Sequence, residues 1–150
     1  MRQRYSWSTY LVLIPVVAVS WWFTHHDGNL PAPSSPTDND NNTALLHTLS
    51  QERSGVLVCG QGNVKKVLKD DTEGSRHQRF ILDVDEGKTL LVAHNIDLAP
   101  RLPNLQTADN VSFCGQYENN ARGGVIHWTH RDPAGRHANG WLEYKGQRYQ

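Results

Sequence analysis

Residues 77–95, HQRFILDVDEGKTLLVAHN, decide the fold of this chain. Apolar and polar residues alternate along this stretch, and a period of two predicts β-strands with one buried face. In the first of these strands Phe80, Leu82 and Val84 share a face. Residues 86–88 predict a hairpin turn, and TLLVAHNI at 89–96 predicts the strand that returns.

Further strands are predicted on both sides of this hairpin. Before it, residues 55–71 predict a long strand with a bulge or bend at Gly60 or Gly62. After a connection from Asp97 with room for one short helix, two more strands are predicted at 109–118 and 123–130. Residues 141–149 predict a small hairpin that extends the fifth strand. This order predicts an all-β domain that forms a small five-stranded OB-like barrel. An SH3-like barrel also has five strands, but the long connection between the third and fourth strands favours the OB-like barrel.

The two cysteines, Cys59 and Cys114, lie in the first and fourth predicted strands. Because those strands close against each other in an OB barrel, a disulfide between them is one expectation. Such a bridge would stabilise the folded state by about 4 kcal/mol, because it lowers the conformational entropy of the unfolded chain. The alternative is a pair of small buried thiols that never join.

The first 43 residues differ in character from the rest of the chain. Arg2 and Arg4 precede an almost uncharged segment, residues 7–23, so residues 1–26 predict a membrane anchor with the following domain exported. Ala18-Val19-Ser20 fits the alternative of a cleaved signal peptide and a secreted protein. Residues 27–43, rich in Pro, Ser, Asn and Asp, predict a disordered linker. The domain then occupies 44–150, starting with a short helix over 43–53 that Thr43 caps.

The side chains best able to act as metal ligands, acids or bases concentrate in residues 123–141, GGVIHWTHRDPAGRHANGW. Imidazole, guanidinium and carboxylate groups at a strand exit can bind a metal, transfer protons or hold an anion. Further polar clusters occupy 75–79 and 94–97, and these two are expected at opposite ends of neighbouring strands. Convergence of all these clusters is therefore not predicted.

The first functional hypothesis is a metal-assisted phosphodiester hydrolase of nuclease type. The candidate catalytic residues are His77, Arg79, His127, His130 and Asp132. The candidate ligands of a divalent Mg, Mn or Zn ion are His94, Asp97, His127, His130 and His137. The candidate substrate-binding residues are Arg76, Asn95, Arg101, Trp128, Arg136 and Trp141. The spacing H-x-x-H is not specific for a metal, and a single histidine is more often a plain surface residue.

The second hypothesis is a binding module without catalysis. OB barrels bind nucleic acids and oligosaccharides on the face of the second and third strands, and Arg79, Trp128, Tyr117 and Trp141 are candidates to stack on a ligand. A formal net charge of zero disfavours non-specific nucleic-acid binding. A third hypothesis, a tethered module that binds a protein partner, has no support beyond the anchor and the linker.

Three strings, GSRHQRF, HNIDLAPR and GGVIHWTHRDPAGRHANGW, resemble the signatures of an uncharacterised bacterial family, domain-of-unknown-function family 3465. The resemblance covers residues 55–149 and leaves out the anchor and the linker. It implies a small bacterial domain behind a signal or an anchor, which here means the inner membrane with the domain in the periplasm. It implies no activity and no role for any residue.

Overall fold

The computed structural model describes residues 38–150, and the predicted anchor at 7–23 lies outside this part of the chain. The described elements, in chain order, are α1 Asp38–Ser50, β1 Val56–Val67, β2 His77–Asp85, β3 Lys88–Asn95, β4 Asn110–Glu118, β5 Val125–His127, β6 Trp141–Tyr144 and β7 Gln147–Tyr149. Within residues 38–150 no helix combines the length and the apolar character that crossing a bilayer requires.

Five of the strands close into a barrel. Strand β1 pairs antiparallel with β2, β2 with β3, and β4 with both β5 and β1, whereas β3 and β5 run parallel. The long β1 makes closure possible because residues 56–63 pair with β4 and residues 63–67 pair with β2. The predicted all-β barrel of five strands is confirmed at this level.

Alternation along the strands fills the barrel with apolar side chains. Phe80, Leu82 and Val84 of β2 are buried, as the pattern predicted. The other buried apolar residues include Leu90, Val92, Val111, Phe113, Ile126 and Leu142. Since successive side chains of a strand point to opposite faces, the alternate residues of β2, β3 and β5 face outward.

Strand β6 continues the line of β5 along the same edge of β4. His127 lies opposite Gln116 of β4, and Trp141 lies opposite Cys114, only two positions away along β4. Residues 128–140 therefore leave the line of the strand as a loop and return to it almost where they left. Below we call residues 128–140 the excursion loop. The expectation that the C-terminal hairpin extends the fifth strand is therefore confirmed, although β5 is shorter than the predicted 123–130.

Several local predictions were wrong. Helix α1 begins at Asp38, inside the segment predicted to be linker, so Thr43 lies within the helix and does not cap it. The bulge of β1 lies between Val64 and Lys66 rather than at a glycine, and β1 ends at Val67. The connection 96–109 consists of turns and contains no helix.

Helix α1 is attached to the barrel through specific contacts. The Asn42 side chain donates to the carbonyl oxygens of Gln61 and Val84 and accepts from the Gln61 N–H. Leu45 is buried, and a Cβ on Gly60 would lie 2.8 Å from its Cδ2. The glycine is needed here because it leaves room for the leucine.

The two cysteines form a cross-strand disulfide. Cys59 of β1 lies directly opposite Cys114 of β4, and the structure joins their Sγ atoms. Of the two expectations raised by the sequence, the structure therefore has the bridge and not the free thiols.

Candidate functional site

Three strand ends meet at one edge of the barrel. The start of β2 lies beside the end of β3, where His77 pairs with Asn95. Because β5 runs parallel to β3, its end at His127 reaches the same edge. The prediction that the clusters at 75–79 and 94–97 lie at opposite ends was wrong, since the two strands of a hairpin start and end side by side.

This edge contains a cleft of about 300 Å³, which we call the histidine cleft. Seven of the residues singled out from the sequence line it, namely His77, Asn95, His127, Trp128, His130, Arg136 and His137. Ser75, a member of the cluster predicted at 75–79, also lines it. Sequence reasoning missed the two other lining residues, namely Ala93 and Leu98. Ala93 carried a signal, because alternation puts it on the outward face of β3 with Asn95.

His127 is held between the cleft and a carboxylate. Its Nε2 is buried without a hydrogen-bond partner in residues 38–150 and lies 3.7 Å from Oε1 of Glu118. Burial lowers the pKa of His127, although the Glu118 carboxylate acts in the opposite direction. His127 is therefore a neutral proton acceptor near pH 7 whose Nδ1 remains for a ligand. Glu118 belongs to the site and was not found from the sequence, because only the register of β4 and β5 brings it there.

His130 and His137 each have one ring nitrogen occupied by the backbone. Nδ1 of His130 donates to the Arg131 carbonyl at 2.7 Å, and Nδ1 of His137 donates to the Ala138 carbonyl at 2.8 Å. A carbonyl only accepts, so both rings carry their proton on Nδ1 in the neutral form. The Nε2 of His130 has no hydrogen bond within the described residues and is free to act in the cleft.

Trp128 is constrained by its neighbours in the cleft. Its ring stacks on His137 with centroids 4.4 Å apart and contacts the ring of His127 at 5.0 Å. Its backbone has φ 51°, a left-handed conformation that is uncommon for a bulky residue. A strained backbone of this kind persists only where the surroundings hold it, and it is common at functional sites.

Asp132, predicted to be catalytic, organises the excursion loop instead. Its side chain is buried and accepts hydrogen bonds from the backbone N–H groups of Ala134, Arg136 and His137. Burial alone would raise the pKa of Asp132, but these three donors hold it below its usual range. Both carboxylate oxygens are engaged, so they do not face a ligand.

His94, predicted to bind a metal, lies on the inner side of the barrel. Its Nε2 donates to the Pro100 carbonyl at 3.0 Å, and its Nδ1 accepts from the Thr129 hydroxyl at 2.8 Å. Burial lowers its pKa from 6.5 to about 4. Because neither nitrogen is left for a metal, His94 joins β3 to the two loops that border the cleft.

The other predicted anion-binding groups are paired or lie elsewhere. Arg76 bonds to Asp97 through its backbone N–H and its Nε, and Arg101 pairs with Asp70. These arginines do not line the histidine cleft. Arg79 donates to the Lys69 carbonyl and lines an adjoining groove of about 290 Å³.

Trp141 does not belong to the histidine cleft. The guanidinium of Arg148 lies 4.2 Å from the centre of its ring, and the residue lines a separate small cavity beside Cys59. A larger cavity of about 500 Å³ lies by the β2–β3 turn, at the other end of these strands. Of the candidate site residues singled out from the sequence only Tyr117 lines it, and Tyr117 is buried in the core. Chemistry rather than size therefore identifies the histidine cleft as the candidate site.

In residues 38–150, no group of three or more His, Cys, Asp or Glu side chains is arranged to hold a metal ion. His94, Asp97 and Asp132 account for part of this result, because their donor atoms are engaged within the protein. The candidate ligands that remain at the cleft are the imidazoles of His127 and His130, because Nε2 of His137 lies 3.8 Å from Oδ2 of Asp132 and its Nδ1 bonds to the Ala138 carbonyl.

Comparison with known proteins adds one finding. No curated protein and no solved structure matches the chain. One family model matches residues 30–150, which is most of the chain and includes the whole barrel. The chain therefore belongs to the family described as "Protein of unknown function (DUF3465)".

Proposed function

We propose that the histidine cleft is the active site of a phosphodiester hydrolase of nuclease type. The observation that carries this proposal is the position of His127, with Nε2 toward Glu118 and Nδ1 left for a ligand, in the same cleft as His130 and Arg136. A carboxylate behind an imidazole orients the ring as a general base. A second imidazole can return a proton, and a guanidinium binds phosphate oxygens.

We further propose that the barrel is of the OB type. The support is its strand order β1-β2-β3-β5-β4 with β3 and β5 parallel. OB barrels bind extended ligands on the face of the second and third strands and on the neighbouring loops. The histidine cleft has this location, since His77 and Asn95 come from these strands and Trp128 from the loop after β5.

The metal that the sequence suggested is not part of this proposal. Mg and Mn ions prefer oxygen ligands. Asp97 and Asp132, the two carboxylates predicted to serve a metal or the reaction, are bonded to Arg76 and to the backbone of the excursion loop. The groups left in the cleft are suited to proton transfer and to anion binding.

The test is a cleavage assay with the full-length protein on single- and double-stranded DNA and RNA. Each reaction runs with Mg, Mn or Zn and also with a chelator. We expect cleavage that His127→Ala and His130→Ala reduce by about 100-fold or more, the usual contribution of a general acid or base. His47, an exposed histidine of α1, supplies the control, and His47→Ala should cleave normally. Cleavage that persists in the His127 variant would contradict the proposal.

The second candidate is a nucleic-acid or oligosaccharide binding module. The observation that favours it is the groove of about 290 Å³ that adjoins the cleft and shares His77, Ala93 and His127 with it. A continuous surface of this kind fits a polymeric ligand better than a small molecule. A shifted band in a gel without any cleavage would favour this candidate.

We also propose, as the sequence suggests, that residues 7–23 anchor the chain and that the barrel is exported. The Cys59–Cys114 disulfide supports this, because such bridges persist in oxidising compartments. In intact cells lacking their outer membrane, added protease should degrade the barrel. Protection of the barrel would contradict export.

A further inference from the structure

We infer that the substrate of the histidine cleft is RNA, cleaved by attack of the substrate's own 2′-hydroxyl on the adjacent phosphorus. This inference rests on the proposed phosphodiester chemistry and narrows it to one substrate class. It follows from which groups around the cleft are engaged and which are left for a ligand.

The carboxylates around the cleft are engaged within the protein. Glu118 accepts a hydrogen bond from Gln116 at 2.6 Å and lies against Nε2 of His127. Asp97 accepts from Arg76, and Asp132 accepts from three backbone N–H groups of the excursion loop. Among the other groups that line the cleft, Nδ1 of His127 and Nε2 of His130 make no hydrogen bond within residues 38–150. The exposed side chain of Arg136 pairs with Asp132 through Nε at 3.7 Å, which leaves its two terminal nitrogens for a ligand. These groups are placed to move protons and to bind phosphate oxygens.

The nucleophile can come from the protein, from water or from the substrate. A protein nucleophile, an imidazole or the Ser75 hydroxyl, would leave a covalent intermediate that a second step must resolve. Water is a far weaker acid than a protonated imidazole, and a bound metal is the usual means of lowering the pKa of water. A hydroxyl held beside the phosphorus reacts intramolecularly, with effective molarities of about 10⁵–10⁸ M in well-oriented cases. RNA carries such a hydroxyl on every nucleotide and DNA does not. A cleft with an imidazole base and an imidazole acid is thus sufficient for RNA.

The step balances with two histidines. Nδ1 of His127 takes the proton of the 2′-hydroxyl as the O2′–P bond forms, and the P–O5′ bond breaks. Nε2 of a protonated His130 gives its proton to the leaving O5′. The products are a 2′,3′-cyclic phosphate and a 5′-hydroxyl, and proton exchange with water restores both rings. Arg136 lies at the same cleft and can hold the non-bridging oxygens.

The experiment compares three end-labelled single strands of one sequence with the full-length protein in excess chelator. The first strand is RNA, the second is DNA, and the third is DNA with one ribonucleotide. We expect cleavage of the RNA, none of the DNA, and one cut directly 3′ of the ribonucleotide, each cut leaving a 2′,3′-cyclic phosphate. His127→Ala should reduce the rate by about 100-fold or more, and His47→Ala should not change it.

The possible failures are distinguishable. If the DNA is cut by an activity that His127→Ala abolishes, or if the cuts leave 5′-phosphates, the RNA inference is wrong and the hydrolase proposal stands. If no strand is cut here, and none is cut in the assay with Mg, Mn or Zn, both are wrong. If His127→Ala does not fold, Glu118→Gln replaces it, and an unchanged rate in that folded variant contradicts the role given to His127.

Discussion

Nε2 of His127 and Oε1 of Glu118 lie 3.7 Å apart on the outer face of the barrel. Neither residue is near the other in the chain. In the register of β4 and β5, His127 lies opposite Gln116 and Glu118 lies opposite Val125, so the two side chains are diagonal neighbours on one face. Their partial exposure moderates the attraction between them.

Glu118→Gln should therefore change the pH dependence of cleavage as well as its rate. At neutral pH we expect the cleavage rate to fall about tenfold, because the amide orients the imidazole less firmly. A tenfold change in rate corresponds in free energy to one pKa unit. The Glu118 carboxylate raises the pKa of His127, so removing it lowers that pKa further. The acid limb of kcat/KM should then move to lower pH, since His127 acts in its neutral form. A lower rate with an unmoved acid limb would mean that Glu118 is only structural.

His94 should make the protein sensitive to mild acid. Its pKa is about 4 in the folded chain against 6.5 for an ordinary histidine. Between these values the unfolded chain binds a proton that the folded chain does not, so folding is favoured above pH 6.5 and loses stability as the pH falls from 6.5 toward 4. This residue alone should lower the free energy of unfolding by about 2 kcal/mol between pH 7 and pH 5.

The measurement for His94 is denaturant unfolding of the wild type and of His94→Gln at pH 7 and at pH 5. The glutamine variant will be less stable at pH 7 if it loses the bond to Thr129 or to Pro100. The difference between the two proteins should nevertheless shrink by about 2 kcal/mol at pH 5, because glutamine does not titrate. A difference that is the same at both pH values would contradict the assignment of a buried neutral imidazole.

Gly140 should tolerate no side chain, because it closes the base of the excursion loop. A Cβ at this position would lie 2.0 Å from the Trp128 carbonyl oxygen and 2.7 Å from that of Cys114. Gly140→Ala should cost about 3 kcal/mol in the free energy of unfolding, as overpacking does when backbone must move. Gly135→Ala is the matched control in the same loop. It meets no atom within 4 Å but has φ +66°, so it should cost about 1 kcal/mol.

The disulfide should account for a large part of the stability of the barrel. Cys59 and Cys114 are 55 residues apart, and closing a loop of that length stabilises the folded state by about 4 kcal/mol in the chain-entropy picture. The double variant Cys59→Ala, Cys114→Ala should lose about this amount in denaturant unfolding. The mass of the oxidised protein should be lower than that of the reduced protein by two hydrogens, and equal masses would contradict the bridge.

Some features of the site had a signal in the sequence that the structure makes plain. His94 shares its face of β3 with Leu90 and Val92, so alternation alone predicts an inward side chain rather than a metal ligand. Asp132 precedes Pro133 and Gly135, a pattern typical of an aspartate that bonds to its own turn. The meeting of His77 with Asn95 follows from the hairpin between them.

Other features had no such signal. Glu118 joins His127 only through the register of β4 and β5, and Trp141 leaves the cleft only because β6 resumes the line of β5. Helix α1 begins earlier than the polar composition of residues 38–42 predicts. Its contacts with β1, through Asn42 and Leu45, belong to the folded chain and are absent from any local pattern.

The sequence by itself determined the strands, the hairpins and the stretch that carries the histidines, because a period of two and the turn residues act over a few neighbouring positions. It also indicated the family that the comparison confirmed. Only the tertiary structure decided which donor atoms face a ligand. Hydrogen bonds from other strands and loops occupy His94 and Asp97 and leave His127 and His130 available. Such bonds depend on register and closure rather than on local sequence, whereas Asp132 is occupied by its own loop.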